Sequence, residues 1–207
     1  MSAYGLGPSI IEDDPRYGRR AVDVYSRLLE DRIVYIGGAI TDDEADDVVA
    51  QLIVLANMDP NRDVTVYVNS PGGSMSALTA IIDAMDLVSC DVSTLCVGQA
   101  IGAAAAIVAA GTAGKRALLP NSTLVLHQPT MSGSWGKATE IEIRANEMAR
   151  KRDWLEDLLA ARTGKDKAAL HRDLENDTYL SADQALEYGL ADSIVTAQPK
   201  ETQGTLM

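Results

Sequence analysis

The chain has 207 residues, enough for a single large domain that buries most of the surface its unfolded form would expose. Acidic side chains outnumber basic ones 30 to 18, and a net charge of −12 argues against nucleic acid and anionic membranes as partners. Two cysteines, Cys90 and Cys96, make no disulfide framework, no apolar run has spanning length, and the N-terminus lacks the pattern of a secretion signal; the expected setting is a reducing cytoplasm.

In chain order, residues 1–20 read as an N-terminal segment, processed or flexible. Residues 32–36 are rich in β-branched and aromatic side chains and end at Gly37-Gly38. A capping box at Thr41-Asp42-Asp43-Glu44 then opens a helix with Val48, Val49, Leu52, Ile53 and Leu55 on its apolar positions. The pattern repeats: residues 64–68 alternate as a strand, meet Asn69-Ser70-Pro71-Gly72-Gly73, and lead into Ala77, Leu78, Ile81, Ile82 and Met85 at helical spacing. It repeats again at residues 92–97, followed by Gly98 and an alanine-rich stretch. Three strand–helix units in succession predict an α/β fold with a largely parallel sheet. Residues 123–126 form a fourth strand candidate, and the segment to Lys137 is rich in Ser and Gly around Trp135. A long charged helix spans 138–162, with Ile141, Met148, Leu155, Leu158 and Leu159 as a broken apolar stripe; it reads as an assembly arm or as a helix packed on its own core. Residues 165–175 form a charged helix carrying His171, a solvated surface histidine in this reading. Ser181-Ala182-Asp183-Gln184 caps a last short helix, and the tail from 196 to 207 is expected to be flexible.

Ligands of parallel α/β sheets sit at the strand ends. Two of these ends carry glycines, Gly72-Gly73 and Gly98, yet neither forms a dinucleotide fingerprint or a Walker loop. A Pro-Gly-Gly turn before a helix offers bare backbone N–H groups, suited to a phosphate or to the oxyanion of acyl transfer. His127 closes the 123–126 strand and so stands at another such end.

Six ordered motifs then carry a family resemblance: NSPGGS at 69–74, GQA at 98–100, KRALLPNS at 115–122, HQP at 127–129, ATEIEI at 138–143 and LSADQALEYGLAD at 180–192. Together they resemble ClpP, the family of peptidase subunits of the Clp proteases. The resemblance implies a ClpP/crotonase-like spiral of strand–helix units over residues 21–195, with a protruding handle at 130–162 and seven-membered rings stacked in pairs through their handles. It implies His127 as general base, Asp177 as the carboxylate orienting it, and the N–H groups of Gly73 and Ala103 as the oxyanion hole. It implies no cofactor on the chain itself, ATP being used by a partner AAA+ unfoldase that delivers unfolded polypeptides.

The nucleophile departs from the pattern. Family members typically read Gly-Gln-Ala-Ala-Ser-Met-Gly, and the serine position falls here on Gly102, 25 residues before His127 as in the family. Ile101, Ala103 and Ala104 depart as well, which favours a diverged paralogue. Ser70 and Ser74 are the nearest hydroxyls in sequence and read as turn formers. Because loss of a triad serine costs roughly a millionfold in kcat, the chain is expected to be silent alone and to serve as structural or regulatory partner of an active paralogue. Residual peptidase activity by another route, and a crotonase-like acyl-CoA enzyme, are the alternatives. Two aromatic positions of the family's ATPase-docking pocket are Thr65 and Ala117 here, while Tyr67, Leu95 and Leu119 stay apolar; a shallower pocket puts that docking in doubt. At the ring–ring contact, with Gln128, an arginine of the family is replaced by Asn176.

Overall fold

A computed structural model describes residues 8–14, 16, 18–131 and 136–196. The expectations for residues 1–7, for Trp135 and for the tail from 197 lie outside the described residues.

Within and just after the 1–20 segment, β1 (Ser9–Asp14) and β2 (Gly18–Asp23) form an antiparallel hairpin. Its register sets Asp13 opposite Arg19 and Glu12 opposite Arg20, and both pairs make ion pairs across the strands. The Asp23 carboxylate then accepts from Ser26 N at 2.9 Å and caps α1 (Val24–Glu30).

The three strand–helix units follow as read: β3 (Ile33–Gly37) and α2 (Asp42–Met58), β4 (Val64–Ser70) and α3 (Met75–Leu87), β5 (Val92–Ile101) and α4 (Ala103–Ala110). Strands β3, β4 and β5 pair in parallel, and the sheet continues through β6 (Arg116–Leu118) to β9 (Ser193–Ile194). Period-2 alternation decides the faces: Val64, Val66, Val68 and Ser70 of β4 are buried, whereas Thr65 and Tyr67 turn to the half-exposed side. Every residue of α4 is 8% exposed or less, so the alanine run is a core helix whose small side chains admit close packing.

Strand β5 changes partner midway. Thr94–Cys96 pair with β6, and beyond Gly98, whose φ of +88° demands glycine, Gln99–Ile101 pair with β7 (Thr123–Leu126). Antiparallel to β7 lies β8 (Thr178–Ser181), which α7 (Ala182–Tyr188) follows through the reciprocal cap of Ser181 and Gln184.

Two buried arginines brace this frame. Arg32, read from sequence as a strand residue, instead precedes β3 at a left-handed φ of +63°, and its guanidinium donates to the carbonyls of Leu55, Asp59, Arg62 and Asp63. The β6 residue Arg116 donates to both Asp192 oxygens and to the carbonyls of Ala109, Arg162 and Gly189, gathering three helix ends behind the sheet.

The charged helix is α5 (Ala138–Thr163), and it behaves as an arm. Leu155 and Leu159 reach the core, while the first half stands in solvent, with Ile141 42% and Ile143 63% exposed. Of the expected stripe, Ile141 is therefore not a core residue. After Gly164, α6 (Lys167–Glu175) packs back on α5. His171 is more than a solvated side chain: its Nδ1 lies 2.8 Å from Oε1 of Glu156, a carboxylate only 5% accessible, which Arg152 Nε also approaches at 3.7 Å.

Candidate active site

The end of β4, the β5–α4 turn and the end of β7 converge on a cleft of about 400 Å³ lined by Gly72, Gly73, Gly102, Ala103 and His127, with the handle closing one side. Each part owes its place to local packing. Ser70 Oγ accepts from Gly72 N at 3.0 Å, and Gly73 bridges to Ile40 through Ile40 N to Gly72 O and Ser74 N to Ile40 O. These bonds use the faces of the turn toward Ile40 and leave the Gly73 N–H outside the backbone pairing of the described residues. A Cβ on Gly73 would run into the Ile40 carbonyl, and one on Gly72 into the Ile101 carbonyl, with Ala103 N only 3.6 Å away. Glycine at both positions thus lets the turn lie against the start of α4, where the Ala103 N–H is one of the donors a helix leaves free at its first turn. The two N–H groups assigned from the resemblance to an oxyanion hole both belong to the cleft lining.

Gly102 stands between strand and helix with φ +53° and ψ −108°, a conformation that side-chain-bearing residues rarely adopt and only with strain. Its N–H donates to Val125 O at 2.8 Å and its carbonyl accepts from Ala106 N, so the turn is fixed at both ends. A sharp, strained strand-to-helix turn is the backbone form that presents a hydrolase nucleophile, and here it presents hydrogen. The His127 imidazole lies over it: a Cβ at Gly102 would come 2.5 Å from Nε2 and 2.7 Å from Cε1.

His127 Nδ1 is 2.9 Å from the Gln128 carbonyl. A carbonyl only accepts, so the neutral tautomer that fits this contact has its proton on Nδ1 and its Nε2 lone pair toward Gly102. Asp177 lies one step beyond the Leu126–Thr178 pair of β7 and β8, beside His127 along the ladder, but no hydrogen bond joins it to the imidazole among the described residues. Gln128 N is tied to Leu174 O, and Asn176 ends α6 as an exposed cap.

Both candidate hydroxyls are engaged as turn formers. Ser74 caps α3 and shares hydrogen bonds with Ser76 Oγ at 2.6 Å and Asp42 at 3.1 Å, while the buried Ser70 holds Gly72. Cys96 is also buried: desolvation pushes its thiol up to about 11, against the smaller opposite effect of its hydrogen bond with Ser122. No group of three His, Cys, Asp or Glu placed to hold a metal occurs among the described residues.

A profile of the family described as Clp protease matches residues 16–198. The chain belongs to the Clp protease family. The ATP-dependent Clp protease proteolytic subunit 1 of Bifidobacterium longum is 53% identical over 188 residues, 91% of this chain and 80% of that one. The subunits 1 of Tropheryma whipplei and Corynebacterium glutamicum are each 47% identical, covering 91% and 93% of this chain and 91% and 92% of theirs. The α/β fold with its parallel sheet and handle is that of the Clp protease family, and no helix among the described residues is long and apolar enough to cross a membrane.

Three further features bear on the family's surfaces. Tyr67, Leu95 and Ala117 stand side by side across β4, β5 and β6 on the half-exposed face, with Thr65 against Ser93 on the same face and Leu119 held by its N–H to Cys96 O. Thr65, Tyr67, Leu95 and Ala117 thus lie on one face of the sheet. Sequence reasoning missed the handle's contribution to the cleft: Met148, Lys151 and Leu155, at helical spacing on α5, line it beside Met75. The signal was present in the broken apolar stripe, where Lys151 sits between Met148 and Leu155 and looks like mere interruption.

Proposed function

We propose that this chain is a non-hydrolytic subunit of a Clp-type peptidase assembly, forming chamber wall with itself or an active paralogue in stacked heptameric rings. The assembly degrades unfolded polypeptides that an AAA+ unfoldase delivers at the expense of ATP, in the cytoplasm. One observation carries the reading: the turn that should present a nucleophile presents Gly102, with the imidazole of His127 seated over the vacancy. His127 keeps the part of base and Gly73 and Ala103 that of oxyanion donors, while Asp177 is the carboxylate that takes over Nδ1 when a nucleophile is present. The face of Thr65, Tyr67, Leu95, Ala117 and Leu119 is the ATPase-docking surface, weakened by the loss of aromatic area at Thr65 and Ala117. Asn176 beside Gln128 removes one charge from the ring–ring contact, which favours an unlike ring as partner.

The purified chain is expected neither to cleave a fluorogenic peptide nor to label with a fluorophosphonate, and to co-purify with an active family member when the two are co-expressed. Label on the unmodified chain would sink the reading, and label lost on Ser74→Ala would identify the overlooked nucleophile. Gly102→Ser is expected to restore labelling once the imidazole, whose Nε2 lies 2.5 Å from where the new Cβ would stand, has swung back from its place against the Gln128 carbonyl. Coenzyme A binding would instead favour the acyl-CoA alternative.

A further inference from the structure

The charge of the cleft runs against that of the molecule. In a chain of net charge −12, its ionisable lining among the described residues consists of His127 and Lys151, with no Asp or Glu. Lys151 makes no ion pair or hydrogen bond with any described residue; the one acid whose field it shares, Glu147, is already held by Arg150 through two bonds of 2.7 and 2.8 Å. Nearby Lys167, by contrast, is neutralised by Asp153 and Asp157. Lys151 therefore lines the same space as Gly73 and Ala103, whose N–H groups lie outside the backbone pairing of the described residues. Met75, Met148 and Leu155 supply an apolar wall beside these donors. His127 adds the opposite polarity, since with Nδ1 committed to the Gln128 carbonyl its Nε2 is an acceptor.

We infer that this cleft is a receptor for the C-terminal end of a peptide, binding its free carboxylate without cleaving it. Lys151 and the two N–H groups hold the carboxylate, the apolar wall takes the last side chain, and Nε2 accepts the last amide N–H. The acceptor favours a ligand that brings an N–H donor beside its carboxylate, as a peptide end does through its last amide. A volume of about 400 Å³ falls in the range of small-ligand sites, roughly 300–1,000 Å³. The inference rests on the non-hydrolytic reading, because an active turn would consume the peptide upstream of such an end.

The test is fluorescence anisotropy on the full chain with one N-terminally labelled hexapeptide ending in leucine, made as the free acid and as the C-terminal amide. The acid is expected to bind at least tenfold more tightly, with Lys151→Met removing that preference and Lys151→Arg keeping most of it. Equal binding of acid and amide, binding of neither, or a preference untouched by Lys151→Met overturns the inference. The acid–amide comparison on the unmodified chain decides the carboxylate claim even where a variant fails to fold. Inorganic phosphate displacing the acid peptide as well as N-acetyl-leucine does would reassign the cleft to phosphate. Mass spectrometry of the recovered peptide keeps the two readings apart: fragments refute the non-hydrolytic reading, whereas an intact but unselected peptide refutes this one alone.

Discussion

Replacing Gly102 by alanine tests the geometry of the empty turn quantitatively. A side chain at φ +53°, ψ −108° incurs backbone strain of about 1–3 kcal/mol. The new Cβ would start 2.5 Å from His127 Nε2, so the ring must retreat by nearly an ångström and give up its hydrogen bond to the Gln128 carbonyl, about 1 kcal/mol more. Lower entropy of the unfolded chain returns about 0.4–1 kcal/mol. The net is a destabilisation of about 2 kcal/mol, which for a chain of this length lowers Tm by roughly 4–8 °C. Thermal and urea unfolding at one fixed protein concentration measure it, since assembly would otherwise shift the midpoint. In a His127→Ala background the steric share disappears and the penalty of Gly102→Ala should shrink by about 1 kcal/mol. Gly102→Ala melting at or above the unmodified chain would refute the strain argument, and an undiminished penalty without the imidazole would refute the contact.

Asp192 receives three hydrogen bonds from Arg116, and that guanidinium holds its carboxyl below the usual range despite partial burial. Its contribution is fully present above the ordinary carboxylate value near 4 and drains as pH falls through the lowered native value. Asp192→Asn should cost about 2–3 kcal/mol at neutral pH, less than a fully buried pair because Asp192 keeps 22% exposure, and should flatten the acid limb of a stability–pH curve; unchanged curves would refute this. His171→Ala leaves the Glu156 carboxylate buried with only Arg152 at 3.7 Å, and should cost about 1–3 kcal/mol in urea unfolding, a loss largely recovered by Glu156→Gln in the same chain. Charging the exposed arm, with Ile141→Glu and Ile143→Glu together, should leave the monomer's helicity and melting intact while lowering the assembled fraction in sedimentation velocity.

How far the sequence speaks depends on whether local pattern and tertiary role coincide. They coincide in β4, where alternation and the Pro-Gly-Gly turn announce strand, turn and helix in direct succession. They part in the hairpin: Ser-Ile-Ile-Glu-Asp-Asp shows no alternation, because β1 lies largely exposed and is held by its pairing with β2, including the ion pairs Glu12–Arg20 and Asp13–Arg19. Arg32 has the look of a strand's first residue, yet its side chain is drawn inward by four carbonyls that are distant in sequence. The three-residue β6 carries no period at all, and its place is set by Arg116 reaching three helix ends. In the site, Gly102 is conspicuous only by counting from its motif, whereas Lys151 becomes a cleft residue only once the handle packs on α4, beside the ends of β4 and β7.

The turn at Gly72-Gly73 separates the upkeep of a machine part from its use. Carbonyl oxygens of Ile40 and Ile101 stand where any larger residue would put its first carbon, so folding alone admits only glycine at both positions. A chain with this architecture keeps its pair of aimed N–H donors whether or not it cuts anything, because selection against misfolding guards them. The attacking group has no such guardian, and can be lost while the frame around it stays intact. Descent from a working peptidase to a silent one, and the return, are thereby short steps in sequence.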